Sequence, residues 1–172
     1  MILLVVDMQK ALVCRDLYQY ETLTKRIIRL VTKARKGKTE VIFFQHDAGE
    51  NTGLSKGDIG FEIIGDLKPL DNEKVFTKTI NSCFGNSEFK NYMEKQKDKR
   101  IMIVGLQTNY CIDATVKSAF VRGYEVIIPK GTNSTFDNKY MSAKTTVDYY
   151  NLDVWEGLVD LVTIEEAVKM IG

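Results

Sequence analysis

Unbroken apolar runs alternate with stretches that carry a helical stripe. ILLVV at 2–6 reads as a buried strand. Between 20 and 36 the apolar positions are Leu23, Ile27, Leu30, Val31 and Ala34, one face of a helix, and Gly37 supplies the stop. VIFF at 41–44 is a second strand. Residues 47–60 hold four glycines and few apolar side chains, which predicts a long loop, and long loops at strand ends tend to carry function. A third strand is expected at 75–77, then a helix over 87–96 with Ser87 as its cap. A fourth strand spans 101–105, a helix 110–122 ends at Gly123, and a fifth strand spans 125–128. A helix at 138–150 and a last strand at 158–162 follow. Thr163 then caps a helix to Ile171, with Glu166 at its third position. Strands apolar along their whole length, alternating with helices, predict a parallel sheet covered on both faces. The 172 residues suffice for one domain with a real core, spanning 1–172.

Composition narrows the partners. Apolar residues make up 44% and charged residues 27%, ordinary for a globular protein. A formal net charge of +1 favours neither nucleic acid nor an anionic membrane. The densest charge cluster, KQKDKR at 95–100, reads as a solvated helix end. No apolar run approaches the roughly 20 residues of a membrane span. Met1 leads straight into a strand, with no basic segment or cleavage site, so the expected location is cytoplasmic. The three cysteines, Cys14, Cys83 and Cys111, are odd in number and lack CxxC spacing, against a disulfide framework or zinc knuckle.

Three reactive groups each follow a strand-like run: Asp7 after 2–6, Lys78 after 75–77, and Cys111 a few residues beyond 101–105. Ligands of open parallel sheets gather at the carboxyl ends of the strands, so a carboxylate, an ammonium and a thiol are expected as neighbours. A lone cysteine is most often a small buried hydrophobe. Cys111 stands instead at a strand-to-helix junction, where unpaired N–H groups and the helix dipole favour an anion and ease ionisation. An acid closing an apolar strand needs a partner. Most of the 24 Lys and Arg side chains are solvated, and Lys78 is set apart by its place at a strand end.

Three phrases carry a resemblance: VVDMQ (5–9), FTKTINSCFGNSEF (76–89) and VGLQTNYCIDATVKSAFVRGYEVIIP (104–129). In order and separation they resemble the isochorismatase-like cysteine hydrolases, over essentially the whole chain. The resemblance implies a three-layer α/β/α fold with a mostly parallel six-stranded sheet of order 3-2-1-4-5-6. It implies that Cys111 attacks a carbonyl-type carbon, and that Asp7 takes the thiol proton and returns it to the leaving group. Lys78 pairs with Asp7 and stabilises the developing negative charge. A non-proline cis peptide is implied at Leu106–Gln107, leaving the N–H groups of Gln107 and Cys111 as oxyanion donors. Gln9 reads as a pocket residue or a support behind the pocket, Phe84 and Tyr110 are candidate substrate-binding residues, and Asn81 and Phe136 are weaker ones, each of the last four equally open to a packing role. Glu62 matches an acidic position of the family and reads as structural. The phrase Pro129-Lys-Gly131 replaces the Asp-Ala of many members, so that edge is expected to differ.

Nicotinamidases of the family bind a metal through Asp-x-His and a second His. Here His46 precedes Asp47 and is the only histidine, so no metal and no cofactor are expected, and His46 reads as a pocket or loop residue. Members commonly form dimers or tetramers, and a homodimer or homotetramer is expected. True isochorismatases cleave a vinyl ether and lack this cysteine, so its presence favours amide chemistry. The reading is a cysteine hydrolase cleaving a C–N bond of a small amide or ureido compound through an acyl-enzyme. Its alternatives are a catalytically silent binding protein of the same fold and a thiol redox sensor.

Overall fold

ILLVV is β1 (Ile2–Val6), and it lies in the middle of the sheet with every residue buried. The computed structural model describes residues 1–172. After β1 come α1 (Tyr20–Lys36), β2 (Glu40–His46), β3 (Lys74–Lys78), α2 (Ser87–Glu94) and β4 (Arg100–Leu106). The chain continues through α3 (Asp113–Phe120), β5 (Glu125–Pro129), β6 (Asn133–Ser134), α4 (Ala143–Tyr149), β7 (Val159–Val162) and α5 (Ile164–Ile171). The sheet order is β3-β2-β1-β4-β5-β7, every pairing is parallel, and β6 sits beside the end of β4. The expected order therefore holds. The last strand is seventh by count because the two polar residues of β6 gave no strand signal.

Alternate residues of the central strands feed two separate cores. Leu3, Val5, Phe43, Met102 and Val104 pack against α1 and α5 through Leu23, Ile27, Leu30, Ala167 and Ile171. Leu4, Val6, Ile42, Phe44 and Ile103 face α2 and α3 through Phe89, Met93, Val116 and Ala119, with Trp155 in the same cluster. A strand covered on both faces must be apolar throughout, which is why the runs are unbroken. Each large side chain so buried contributes about 1.5–3 kcal/mol.

The structure corrects several boundaries. Asn86, not Ser87, caps α2: its Oδ1 accepts from the N–H of Phe89 at 2.9 Å. The helix expected over 138–150 starts only at Ala143, where Ser142 caps it. Asn138 Oδ1 accepts from the N–H groups of Tyr140 and Met141, and this local turn displaces the first helical turn. After Tyr149 the helix runs on as a π turn, Tyr150–Val154. The box between Thr163 and Glu166 forms as expected. No helix is long and apolar enough to cross a membrane.

One glycine is dictated by the packing of β4 on β1. Gly105 has φ +122°, and a Cβ there would lie 2.0 Å from the carbonyl oxygen of Val6. Only glycine lets the two strands meet at this point.

Candidate active site

The strand order reverses at β1 and β4, and a parallel sheet opens a crevice beyond the carboxyl ends at such a point. Asp7 leaves β1 with φ 53°, a left-handed conformation that Asp tolerates better than most residues. Its N–H donates to the carbonyl of Phe44 at 3.0 Å. β2 and β3 run further than the apolar pattern suggested, so His46 and Lys78 are register partners at their ends. Beyond β4 the Leu106–Gln107 peptide is cis. A π turn, Thr108–Ile112, then carries Cys111 into α3. The helical stretch thus begins earlier than residue 110.

Lys78 draws these ends together. Its ammonium donates to Asp7 Oδ2 at 2.7 Å, to His46 Nδ1 at 3.0 Å and to Cys111 Sγ at 3.1 Å. An ammonium has three protons and no lone pair, so all three are committed and His46 Nδ1 must be an acceptor. Asp7, Lys78 and Cys111 are 1%, 3% and 7% exposed. Asp7 Oδ1 is the one buried side-chain polar atom without a hydrogen-bond partner.

Burial raises the Asp7 carboxyl above its ordinary range against the pull of Lys78. Burial would lower Lys78, but Asp7 and Cys111 outweigh it and hold the ammonium charged. The Cys111 thiol is pushed up to about 12, first by burial and then by the nearby Asp7 carboxylate, with Lys78 opposing. The direction runs against the expectation of easy ionisation: burial foremost, and the Asp7 carboxylate after it, favour the thiol over the thiolate. Burial and the Lys78 charge lower His46, which is therefore neutral.

The thiol opens into a cavity of about 240 Å³ lined by Asp7, His46, Cys111, Asn81, Gln107 and Tyr110, and also by Leu12, Ala48 and Leu54. The last three went unread in the sequence. Ala48 and Leu54 belong to the glycine-rich loop over 47–60, and Leu12 lies in irregular chain after β1, where no periodicity marks an inward-facing side chain. Asn81 Oδ1 lies 3.8 Å from Sγ. Gln9 takes the supporting one of its two readings, and Phe84 packs away from the cavity. Gln9 is fully buried behind the wall, its amide donating to the carbonyls of His46 and Phe61 and accepting from the N–H of His46. Phe84 packs in the core against Phe89 and Tyr124, with ring centroids 5.1 and 5.5 Å apart. Phe136 also packs away from this cavity, against the α1 core. Glu62 is paired with Lys10.

A polar segment missing from the sequence reading holds the Cys111 turn in place. Thr132, Asn133, Ser134 and Thr135 are all buried. Asn133 Oδ1 accepts from Thr108 Oγ1 at 2.8 Å, and Thr135 lies within hydrogen-bonding reach of Gln107 Oε1 and Asn109 Oδ1 at 3.1 and 2.7 Å. The only advance signal is a run of four short polar residues after Gly131, at the edge already expected to differ.

Asp7, His46 and Cys111 bring potential metal ligands within 4.8 Å of one another. The Lys78 ammonium touches all three and fills the position a cation would take. A divalent metal does not fit unless a buried, paired ammonium is expelled.

The family model for the isochorismatase domain matches residues 1–151. The chain belongs to the isochorismatase family. Among relatives in this family, streptothricin hydrolase of Streptomyces noursei is 26% identical over 139 residues, which cover 78% of this chain and 54% of that protein. Nicotinamidase 3 of Arabidopsis thaliana is 24% identical over 161 residues, covering 82% of this chain and 76% of the relative. The chain thus spans about half of one relative and three quarters of the other. The crystal structure of a cysteine hydrolase from Pseudomonas syringae pv. phaseolicola 1448A superposes with a TM-score of 0.86 at 22% identity, over 98% of this chain and 91% of that one. That likeness is one of fold.

Proposed function

We propose that this isochorismatase-family protein is a metal-independent cysteine hydrolase that cleaves the C–N bond of a small amide or ureido compound. The observation that carries the reading is the buried cluster in which Lys78 binds Asp7 and Cys111 at once while Asp7 Oδ1 stays unpaired. A carboxylate with a free oxygen beside a protonated thiol is placed to act as a base. Asp7 takes the thiol proton, Sγ attacks the carbonyl carbon, and the N–H groups of Gln107 and Cys111 receive the oxyanion. Asp7 then passes the proton to the nitrogen, the C–N bond breaks, and ammonia or an amine leaves. Asp7 next deprotonates a water, which attacks the thioester carbon. The acid is released and the proton returns to sulfur. Lys78 stays charged throughout and compensates the charge that moves between Asp7 and Cys111.

The names of the relatives, a nicotinamidase and a hydrolase of streptothricin, support amide chemistry. A redox sensor would be better served by an exposed, easily ionised thiol than by one that is buried and raised to about 12. The test is ammonia release over a panel of nicotinamide, ureido acids, biuret-like compounds and simple amides. Wild type should turn over at least one member, and Cys111→Ala should lose at least about a thousandfold in kcat. Cys14→Ala should leave activity near wild type. Retained turnover in Cys111→Ala would sink the assignment.

A further inference from the structure

We propose that the cavity selects uncharged amides and excludes those carrying a carboxylate near the scissile bond. This rests on the hydrolase reading and adds the chemical class of its substrate. The ground is an inventory of charge. Of the side chains lining the cavity, only Asp7 carries a charge, and it is negative. The neighbouring cation, Lys78, has no proton left to offer, since Asp7, His46 and Cys111 take all three. His46 accepts from that ammonium through Nδ1 and is held neutral, so it presents at most one neutral N–H. Asn81, Gln107 and Tyr110 are uncharged, and Leu12 and Leu54 are apolar. Lys10, just beyond Gln9, is paired with Glu62 at 2.5 Å.

A carboxylate entering this space would lose water and find the one nearby cation, Lys78, already matched by Asp7 and with no proton free to donate. An uncharged amide meets none of these costs. Its carbonyl can reach the turn that carries Cys111, its N–H groups can meet Asn81 or Asp7, and a short apolar body fits against Leu12 and Leu54. The filter is electrostatic, so it should act on any small molecule that reaches the thiol.

Iodoacetamide and iodoacetate make a matched pair of probes: nearly the same size, one an uncharged primary amide and the other its anionic acid. In each reaction sulfur displaces iodide, a C–S bond forms, and the thiol proton is lost to Asp7 or solvent. The experiment alkylates the intact native protein with each reagent and follows Cys111 and Cys14 by peptide mass spectrometry. The preference for iodoacetamide should be at least about tenfold greater at Cys111 than at Cys14, which lies outside the cavity. Ala48→Arg, at an exposed position on the cavity wall, supplies the missing cation and should bring the two ratios together. Equal ratios in wild type, or faster reaction of Cys111 with iodoacetate, would overturn the charge rule and leave the hydrolase reading standing. A ratio unmoved by Ala48→Arg would also overturn it, since the preference would then not respond to charge on the cavity wall. If Cys14 reacts and Cys111 reacts with neither reagent, the nucleophile assignment falls and this inference falls with it.

Discussion

At the scale of single residues, the site is governed by how one ammonium divides its three protons. Burial favours the protonated Cys111 thiol, and Lys78, already paired with Asp7, offsets that only in part. Activity should therefore follow the ionisation of Asp7 and not that of a free thiol. Asp7 is raised by burial from its ordinary 3.8, so kcat/KM should fall on an acid limb lying above the usual carboxylate range. Cys111, pushed up to about 12, and Lys78, raised above its ordinary 10.5, should give no alkaline limb below about pH 10. A profile from pH 4 to 10 checks this. A rate climbing through pH 8–9, as for an ordinary thiol, would remove Asp7 as the base. The same ammonium occupies the position a metal would need, so dialysis against EDTA should leave turnover unchanged. Activity lost to the chelator and restored by zinc would contradict that. These three residues were legible because each closes or follows an apolar run. Phe84 was misplaced, and Gln9 was left open between pocket and support, because a motif fixes where a residue sits in the chain but not which way its side chain turns.

At the scale of elements, the central strands were readable because burial on two faces forces an unbroken apolar run. β6 and the π turns were not, since they are held by particular hydrogen bonds and not by periodicity. The Cys111 turn rests on the polar run over 132–135 and on the close approach of β4 to β1 at Gly105. Gly105→Ala would put a Cβ 2.0 Å from the Val6 carbonyl oxygen at φ +122°, so something in β1 or β4 must shift. The expected cost is at least about 3 kcal/mol in urea unfolding, with activity lost even where the protein stays folded. Gly123→Ala is the control: φ there is +77°, but no atom lies within 4 Å of the added Cβ. It should cost only about 1 kcal/mol, the left-handed penalty alone. Equal costs for the two would mean that backbone conformation matters at Gly105 and strand contact does not.

At the scale of the molecule, the Asp7–Lys78 pair ties β1 to β3 across β2, inside a domain whose net stability is expected to be about 5–15 kcal/mol. The overall order of the sheet followed from the alternation of strands and helices together with the family phrases, but the depth of this pair was visible only in three dimensions. Both partners are almost fully buried, so removing one strands the other. Asp7→Asn should cost about 3–5 kcal/mol where the orphaned Lys78 stays charged, because its ammonium is then buried without a partner. Lys78→Met differs, because the orphaned Asp7 can protonate. A carboxyl raised in the folded state adds stability below its unfolded pKa and loses that contribution as pH rises through the folded value. Loss of Lys78 removes the pull that lowers Asp7 and raises it further. The stability gap between wild type and Lys78→Met should therefore be small near pH 4 and widen steadily toward pH 8. Asp7→Asn should show the opposite trend, since Lys78 left to burial is lowered and its penalty narrows as pH rises. The double variant Asp7→Asn with Lys78→Met should regain most of what either single loses, since it leaves no unpaired buried charge. Urea unfolding of the four proteins at several pH values decides the matter. A pH-independent gap for Lys78→Met, or a double variant no better than the worse single, would show that packing and not charge pairing sets the role of these two residues in the fold.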